Sequence, residues 1–276
     1  MAKDAGGPLV SVVIVTRDRP TLVARAIVSV FAQTHRPIEV RLVDNQSTTP
    51  IDPPPAPNGV EVVRLRAPKR LNASAARNFG AEGARGAFVG FLDDDDFYLP
   101  EKLARQVAAL EADPSAEFCI IDTERRTPNG VAVMRLNDPS DVYAVLRYRP
   151  IHTNSPLIRT DVFRAERFNA ALEKYTDLHL TYRLFERRKC VKAKGVGAVW
   201  TYDNRADQIT RTGPLAKLRD LERSRRNWKI ICDDFAHLIG RRNDLRRAYF
   251  GKLAVFSLLT FRLGDALRYA ARTAPR

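Results

Sequence analysis

Four consecutive carboxylates, Asp93, Asp94, Asp95 and Asp96, close the apolar run Phe88–Leu92. Adjacent carboxylates repel one another, so the cluster costs stability unless a cation offsets it. A hard divalent cation such as Mg2+ or Mn2+ prefers oxygen ligands and is commonly shared between carboxylates and substrate phosphates. Open α/β sheets place their ligands at the carboxyl ends of strands, which is where this cluster falls. Taken alone, the same four residues are equally well explained as a solvated acidic turn.

The elements that must position the cluster are readable from apolar patterning. Leu9–Val15 is a continuous apolar run with one serine, bounded by Pro8 and Thr16-Arg17-Asp18-Arg19. It predicts a buried parallel strand. Pro20 suits a first helical turn, and Leu22, Val23, Ala26, Ile27, Val30 and Phe31 follow at helical spacing. Residues 38–43 and 60–65 predict two more strands, 74–84 a helix, 88–92 a fourth strand and 100–111 a helix. This alternation predicts an α/β fold with a parallel, doubly wound sheet. Beyond residue 122 the pattern loosens: strands are expected at 131–134, 191–193 and 198–202, and an amphipathic helix over 176–187. From Leu215 the chain reads as helical and basic, with a second, more apolar helix over 245–263.

The chain has 276 residues, 45% hydrophobic and 28% charged, an ordinary globular composition. Cys119, Cys190 and Cys232 are odd in number and far apart. They fit neither a disulfide framework nor a zinc site, and the expected setting is reducing and cytoplasmic. The first residues lack the apolar core of a signal peptide, and the run Leu253–Phe261 is too short to span a bilayer. The net charge of +14 predicts attraction to something acidic. No zinc-finger, RNA-recognition or basic-zipper pattern accompanies it, so nucleic acid is not expected.

Four segments in order carry a family resemblance. Val10-Ser-Val-Val-Ile-Val-Thr-Arg-Asp-Arg-Pro20, Val43-Asp-Asn-Gln-Ser-Thr48, Ser74-Ala-Ala-Arg-Asn-Phe-Gly-Ala81 and Phe91-Leu-Asp-Asp-Asp-Asp96 resemble the signatures of glycosyltransferase family 2, at that family's spacing. One such match is weak, and four in order are specific. The resemblance covers residues 8–110 well and the later half less well. It implies a GT-A fold, Rossmann-like and mostly parallel, with a C-terminal helical extension. It further implies a nucleotide-sugar donor, most simply UDP-linked, and inversion at the anomeric carbon. The domain expected is 1–212, with a nucleotide-binding half at about 8–122 and an acceptor half at about 123–212. Residues 213–276 form the basic extension.

Within that resemblance Thr16, Arg17, Asp18 and Arg19 follow the first strand, where the nucleotide would lie, and Asp44 and Asn45 follow the second, facing the base. The family usually has Asp where this chain has Asn45. Arg77 reads as a planar fork for phosphate, with a plain surface arginine as the alternative. The family's Asp-x-Asp maps onto Asp93, Asp94 and Asp95, which implies Asp95 as the metal ligand with Asp93 or Asp94 toward ribose or metal-bound water. Asp96 falls to capping the helix near Pro100.

The general base is expected at Asp177, at the start of a helix where relatives carry Glu-Asp; here Thr176 replaces the Glu. A helix N-terminus favours a carboxylate for structural reasons as well. His179 reads as a packing or surface residue, and His152, Thr153 and Asn154 fall where relatives shape the acceptor side. Tyr202–Thr210 resembles a loop that closes over the nucleotide, with Arg205 where many relatives have His. Three acceptor classes fit: a lipid-linked glycan, a small aglycone, or a substrate on an acidic carrier protein. Residues 215–276 hold fifteen Arg and Lys against six acids, a candidate docking surface for a carrier protein or, peripherally, for the anionic inner face of a membrane. Two other readings stay open at this point: a nucleotidyltransferase, although a Gly-rich loop after the first strand is missing, and a non-catalytic sugar-nucleotide or carrier-binding module.

Overall fold

The computed structural model describes residues 7–135, 140–148, 151–202 and 214–274. The chain divides into two compact units, Met1–Ala170 with Leu180–Asp203, and Ala171–His179 with Asn204–Arg276.

The first unit is built on one sheet. Its first strands and helices are β1 (Val10–Thr16), α1 (Pro20–Phe31), β2 (Ile38–Asp44), β3 (Val60–Arg66), α2 (Ala73–Ala81) and β4 (Phe88–Asp93). They are followed by β5 (Phe97–Tyr98), α3 (Lys102–Ala112), β6 (Phe118–Thr127), β7 (Gly130–Met134), α4 (Val142–Tyr148), β8 (Leu157–Arg159) and α5 (Thr160–Glu166). Helix α6 (Thr176–Arg187) starts in the second unit and continues in the first, and β9 (Cys190–Thr201) completes the sheet. The strand order is β3-β2-β1-β4-β8-β6-β9-β5, with β7 beside β6.

Strands β3, β2, β1 and β4 run parallel, as their near-continuous apolar runs predict. Their register sets Thr16 opposite Asp44 and Val15 opposite Asp93, so three strands deliver their carboxyl ends to one rim. The other half is mixed: β8 is antiparallel to β4 and β6, whereas β9 is parallel to β6. The expected pair of strands at 191–193 and 198–202 is one strand. The pairing with β6 absorbs Gly195 and Gly197 through register shifts opposite Ile120–Thr123.

Helix α1 begins with Pro20 and buries Val23, Ala26, Ile27 and Val30, the stripe its spacing predicts. Helix α2 opens with Asn72 accepting the Ala75 amide at 2.8 Å. It lies so close to the sheet that a Cβ on Gly80 would come 2.4 Å from Val13 Cγ1 and 2.8 Å from Val43 Cγ2. That approach sets the height of Arg77 and Asn78 above the rim. Asn78 is further tied down by Phe168, whose carbonyl accepts from Nδ2 at 2.8 Å and whose amide donates to Oδ1 at 2.9 Å.

Beneath the rim, β2 carries a buried charge. Glu39 is fully buried and accepts Ser11 Oγ, the Arg85 amide and Arg85 Nε at 2.5, 3.1 and 2.8 Å. Burial alone would raise its carboxyl, yet these donors and Arg41 outweigh burial and hold it below the usual range.

The second unit packs α7 (Pro214–Asp234), α8 (Ala236–Ile239), α9 (Asn243–Leu259) and α10 (Leu263–Ala271). Trp228 is its centre. The indole is fully buried, stacks on Tyr249 at 5.1 Å, donates to the Tyr249 carbonyl at 3.0 Å, and carries Lys252 Nζ 3.8 Å over its ring. Residues 171–179 join this unit through Asn227, whose Oδ1 accepts the amides of Glu173 and Lys174 at 2.7 and 2.8 Å. The more apolar helical segment expected over 245–263 is α9, which stops at Leu259 because Phe261 takes a left-handed conformation with φ of 59°, and α10 follows from Leu263.

Candidate active site

The carboxyl ends of β1, β2 and β4 bring together most of the residues singled out from sequence. Thr16 and Arg19 both grip Asp94: Thr16 Oγ1 donates at 2.8 Å and Arg19 Nη1 at 3.0 Å. Asp94 is thereby fastened to the end of β1, and Arg19 also faces Asp95 at 3.7 Å. Arg17 pairs with Asp18 at 3.3 Å. Asp18 in turn accepts the Thr48 amide at 2.7 Å and donates its own amide to Ser47 Oγ at 2.9 Å, which lashes the β1 end to the β2 end.

Asp44 accepts the Ser47 amide at 2.8 Å and pairs with Arg66. Asn45 lies beside it, but its amide is spent on the backbone. Nδ2 donates to the Leu71 carbonyl and Oδ1 accepts the Leu71 amide, both at 2.9 Å. Asn45 therefore braces the approach to α2, with one N–H and one carbonyl lone pair used on Leu71. Arg77 is not a plain surface arginine: it is mostly buried, pairs with Asp93 and lies 5.4 Å over the Phe168 ring.

Asp96 does not cap α3. The two-residue strand β5 intervenes, the helix starts at Lys102, and Glu101 at its N-cap makes no side-chain hydrogen bond. Asp96 turns inward instead and is fully buried. Its Oδ2 accepts Asn154 Nδ2 at 2.6 Å and its Oδ1 accepts the Thr201 amide at 2.7 Å. Asn154 Oδ1 also accepts the Asp93 amide at 3.1 Å. This one buried amide thus fixes both ends of the acidic turn. His152 stands beside it, with a ring nitrogen 3.9 Å from Asp93 Oδ2 and another 3.9 Å from Asp96 Oδ2, stacked on Trp200 at 4.9 Å.

The four carboxyls sit in four electrostatic settings. For Asp93 burial works against the charge, but Arg77, His152 and Arg19 outweigh it and the carboxyl is held below its usual value. Asp94 is raised, chiefly by burial, in spite of Arg19 and Thr16. Asp95 is pushed up to about 6 by burial and by the charges of Asp93 and Asp94. Asp96 is raised as well, by burial and then by Asp93 and Asp95. An uncompensated repulsion therefore collects on Asp95 and Asp96, which an added cation would relieve.

Among the described residues, one oxygen each of Asp93 and Asp96 and one nitrogen of His152 converge within 4.8 Å of one another. That geometry admits a cation, and its donors suit Mg2+ or Mn2+ less purely than carboxylates alone would. Asp96 is already committed to Asn154 and Thr201, whereas Asp93 and Asp95 keep partial exposure, 26% and 20% of the side chain. Asp95, the metal ligand the resemblance implies, and Asp93 beside it thus lie at the open edge of the cluster, and His152 is the added candidate.

Asp177 lies in the first turn of α6, within the second unit, its Oδ1 accepting the Leu178 amide at 2.9 Å. His179 is the packing residue expected: it is buried, with Nε2 2.8 Å from Asp234 Oδ2 and its ring 5.4 Å from Phe235. Arg205 and the rest of the loop 203–210 lie outside the described residues. Sequence reasoning missed Trp200 and the contact from Thr201, because a strand reads as structure and gives no sign that its end closes over another strand's carboxylates.

Comparison with known proteins places this geometry. The family model described as Glycosyl transferase family 2 matches residues 11–191. Among curated relatives, an uncharacterized glycosyltransferase of Rickettsia felis is 33% identical over 103 residues, 37% of this chain and 17% of that protein. The Escherichia coli UDP-Glc:alpha-D-GlcNAc-diphosphoundecaprenol beta-1,3-glucosyltransferase WfaP is 28% identical over 108 residues, 38% of this chain and 42% of that protein. The alignments thus span less than half the length of these relatives. Two solved structures share the fold at low identity. Staphylococcus aureus TarS 1–349 in complex with UDP-GlcNAc superposes with a TM-score of 0.61 at 14% identity, over 94% of this chain and 88% of that one. The mannosyltransferase PcManGT from Pyrobaculum calidifontis, in complex with GDP-Man and Mn2+, gives 0.59 at 16% identity, over 97% and 87%.

Proposed function

The chain belongs to glycosyltransferase family 2, and on that premise we propose that it transfers a sugar from a UDP-linked donor to an acceptor hydroxyl with inversion. The observation that carries the reading is the convergence of three parallel strand ends on a rim that mixes four carboxylates with Arg19 and Arg77. Carboxylates alone would repel a diphosphate, and arginines alone would bind any anion. Together they suit a diphosphate accompanied by a divalent cation. The UDP-GlcNAc of TarS and the UDP-Glc named for WfaP favour uridine, while the GDP-Man of PcManGT marks the alternative.

Asp95 and Asp93 would hold Mg2+ or Mn2+, with His152 at the flank. When bound, the ion would supply Lewis-acid stabilisation of the leaving diphosphate. The protein residues do the rest. Asp44 offers an acceptor for the base, held by Ser47 and Arg66. Arg19 and Arg77, paired here with Asp94 and Asp93, are the guanidinium groups placed at the rim to meet the diphosphate. Asp177 would accept the acceptor proton as the hydroxyl attacks the anomeric carbon. Asn154 positions Asp93 and Asp96 without touching substrate.

The test is release of nucleoside diphosphate from a panel of UDP- and GDP-sugars, with and without EDTA, in the presence of candidate acceptors. Release from a UDP-sugar that stops on chelation supports the reading. Metal-independent release would remove the cation, and tight donor binding without release would favour a binding module.

A further inference from the structure

The second unit shows a feature that sugar transfer does not use. Six large apolar residues within thirteen positions are exposed: Val255 (54%), Leu258 (54%), Leu259 (48%), Phe261 (83%), Leu263 (63%) and Leu267 (73%). Single exposed apolar residues are ordinary, but a run of this kind marks a contact surface. The spacing is helical on both sides of the turn. Val255, Leu258 and Leu259 follow i, i+3, i+4 on α9, and Leu263 and Leu267 follow i, i+4 on α10, while the opposite face of each helix is buried through Leu253, Ser257 and Tyr269.

Phe261 sharpens the point. It occupies the left-handed position that ends α9, where glycine is the usual residue because a side chain is strained there. Here a bulky aromatic is kept in that conformation and held out to solvent. Neither strain nor exposure benefits the folded chain by itself.

The flanking charge identifies the occupant. Between residues 245 and 274 the chain has six Arg and Lys and a single acid, Asp265. Asp265 is already engaged by Arg268 at 3.8 Å and Arg225 at 3.9 Å. Arg247 on α9, Arg262 in the turn, Arg268 on α10 and Arg272 just after it are exposed as well. Apolar side chains projecting from a short helix pair and rimmed by arginine suit the boundary between acyl chains and anionic headgroups. Among the described residues no helix is long and apolar enough to cross a membrane, so the surface would lie on a bilayer and not span it.

We propose that the exposed face of α9 and α10 docks on an anionic lipid bilayer, with Phe261 and Leu267 entering the acyl boundary and Arg247 and Arg268 meeting headgroups. The proposal does not depend on sugar transfer, and its test uses no donor or acceptor. The full chain is sedimented with vesicles of phosphatidylcholine alone and of phosphatidylcholine with phosphatidylglycerol. Retention is expected on the anionic vesicles and should fall with salt. Phe261→Gly should lower the partition coefficient by about tenfold, since an apolar side chain of this size is lost from the interface, while leaving thermal stability unchanged or raised because strain is removed. Leu267→Ser should weaken retention likewise, and Arg247→Glu with Arg268→Glu should abolish the preference for anionic lipid. Absence of retention overturns the proposal. So does retention unaffected by Phe261→Gly and Leu267→Ser, which would reduce the attraction to unspecific charge. A concentration-dependent dimer that these two variants dissolve, without vesicle binding, would assign the face to a second copy of the chain instead.

Discussion

Replacing Asn154 by alanine probes the part of the site that the sequence showed least. The side chain is fully buried and joins two strand ends through the Asp93 amide and Asp96 Oδ2. Truncation removes one neutral hydrogen bond, about 1 kcal/mol, and one bond to a buried carboxylate, about 1.5–3 kcal/mol. Asp96 has a partial escape, because its carboxyl is already raised by burial and by Asp93 and Asp95 and can take up a proton. The net cost at neutral pH is therefore put at about 2–3 kcal/mol, or about 4–6 °C in the melting temperature of a chain of this size. It should shrink at acid pH, where Asp96 becomes neutral more readily. Calorimetry and urea unfolding measure the loss, and a double-mutant cycle with Asp96→Ala isolates the pair, with a coupling of at least about 1 kcal/mol expected. Donor affinity should fall as well, since Asp93 loses its backbone anchor. An Asn154→Ala protein within about 0.5 kcal/mol of wild type, or a cycle that closes without coupling, would refute the bracing argument.

Three further outcomes follow from the same structure. Asp95→Asn should abolish metal-dependent donor binding yet stabilise the fold at pH 7 by about 1–2 kcal/mol. An acid whose folded pKa is raised to about 6 loses stability as pH climbs from its unfolded value to that point, so the gain should vanish below about pH 4; urea unfolding across pH reads it. Asp177→Asn should cut turnover by about two to four orders of magnitude with donor affinity retained, and wild-type turnover would move the base elsewhere. Lys102 is buried against Gln106 and the Tyr98 ring, and burial lowers its pKa to about 7. Lys102→Met should therefore stabilise the protein by about 3 kcal/mol at and below pH 7, after the lost Gln106 bond is discounted. That gain should disappear as pH rises toward 10.5, the unfolded value; a gain independent of pH would show that the ammonium is not what destabilises this position.

The parallel half of the sheet was legible because each of its strands is a continuous apolar run ended by polar residues, a pattern that burial on both faces imposes. The mixed half was not. Strand β8 is three residues and β5 two, too short for any periodicity, and they exist because Phe88 pairs with Arg159 and Phe97 with Val199, partners 71 and 102 positions away. Such strands are defined by their neighbours and not by their own composition. The end of α9 was missed for the opposite reason: the apolar spacing runs straight through Phe261, and a left-handed phenylalanine has no local signature.

The same division explains the site. Polar residues that follow a strand were legible, since a strand end announces itself: Thr16, Arg19, Asp44 and the four carboxylates all reach the rim, where Arg77 joins them from α2. Their pairings were not, and pairing decides what each side chain can do. Asn45 was read only as facing a base, and it also holds Leu71; Asp96 looked like a cap and is the buried anchor of the acidic turn. The Asp96 reading assigned a polar side chain to the nearest backbone need in sequence, when the chain had a more distant need to meet. A buried carboxylate adjoining three others cannot stay without donors, so the demand for a residue such as Asn154 was implicit in the run of aspartates itself. Only its address, 58 residues beyond Asp96 in the approach to β8, required the fold.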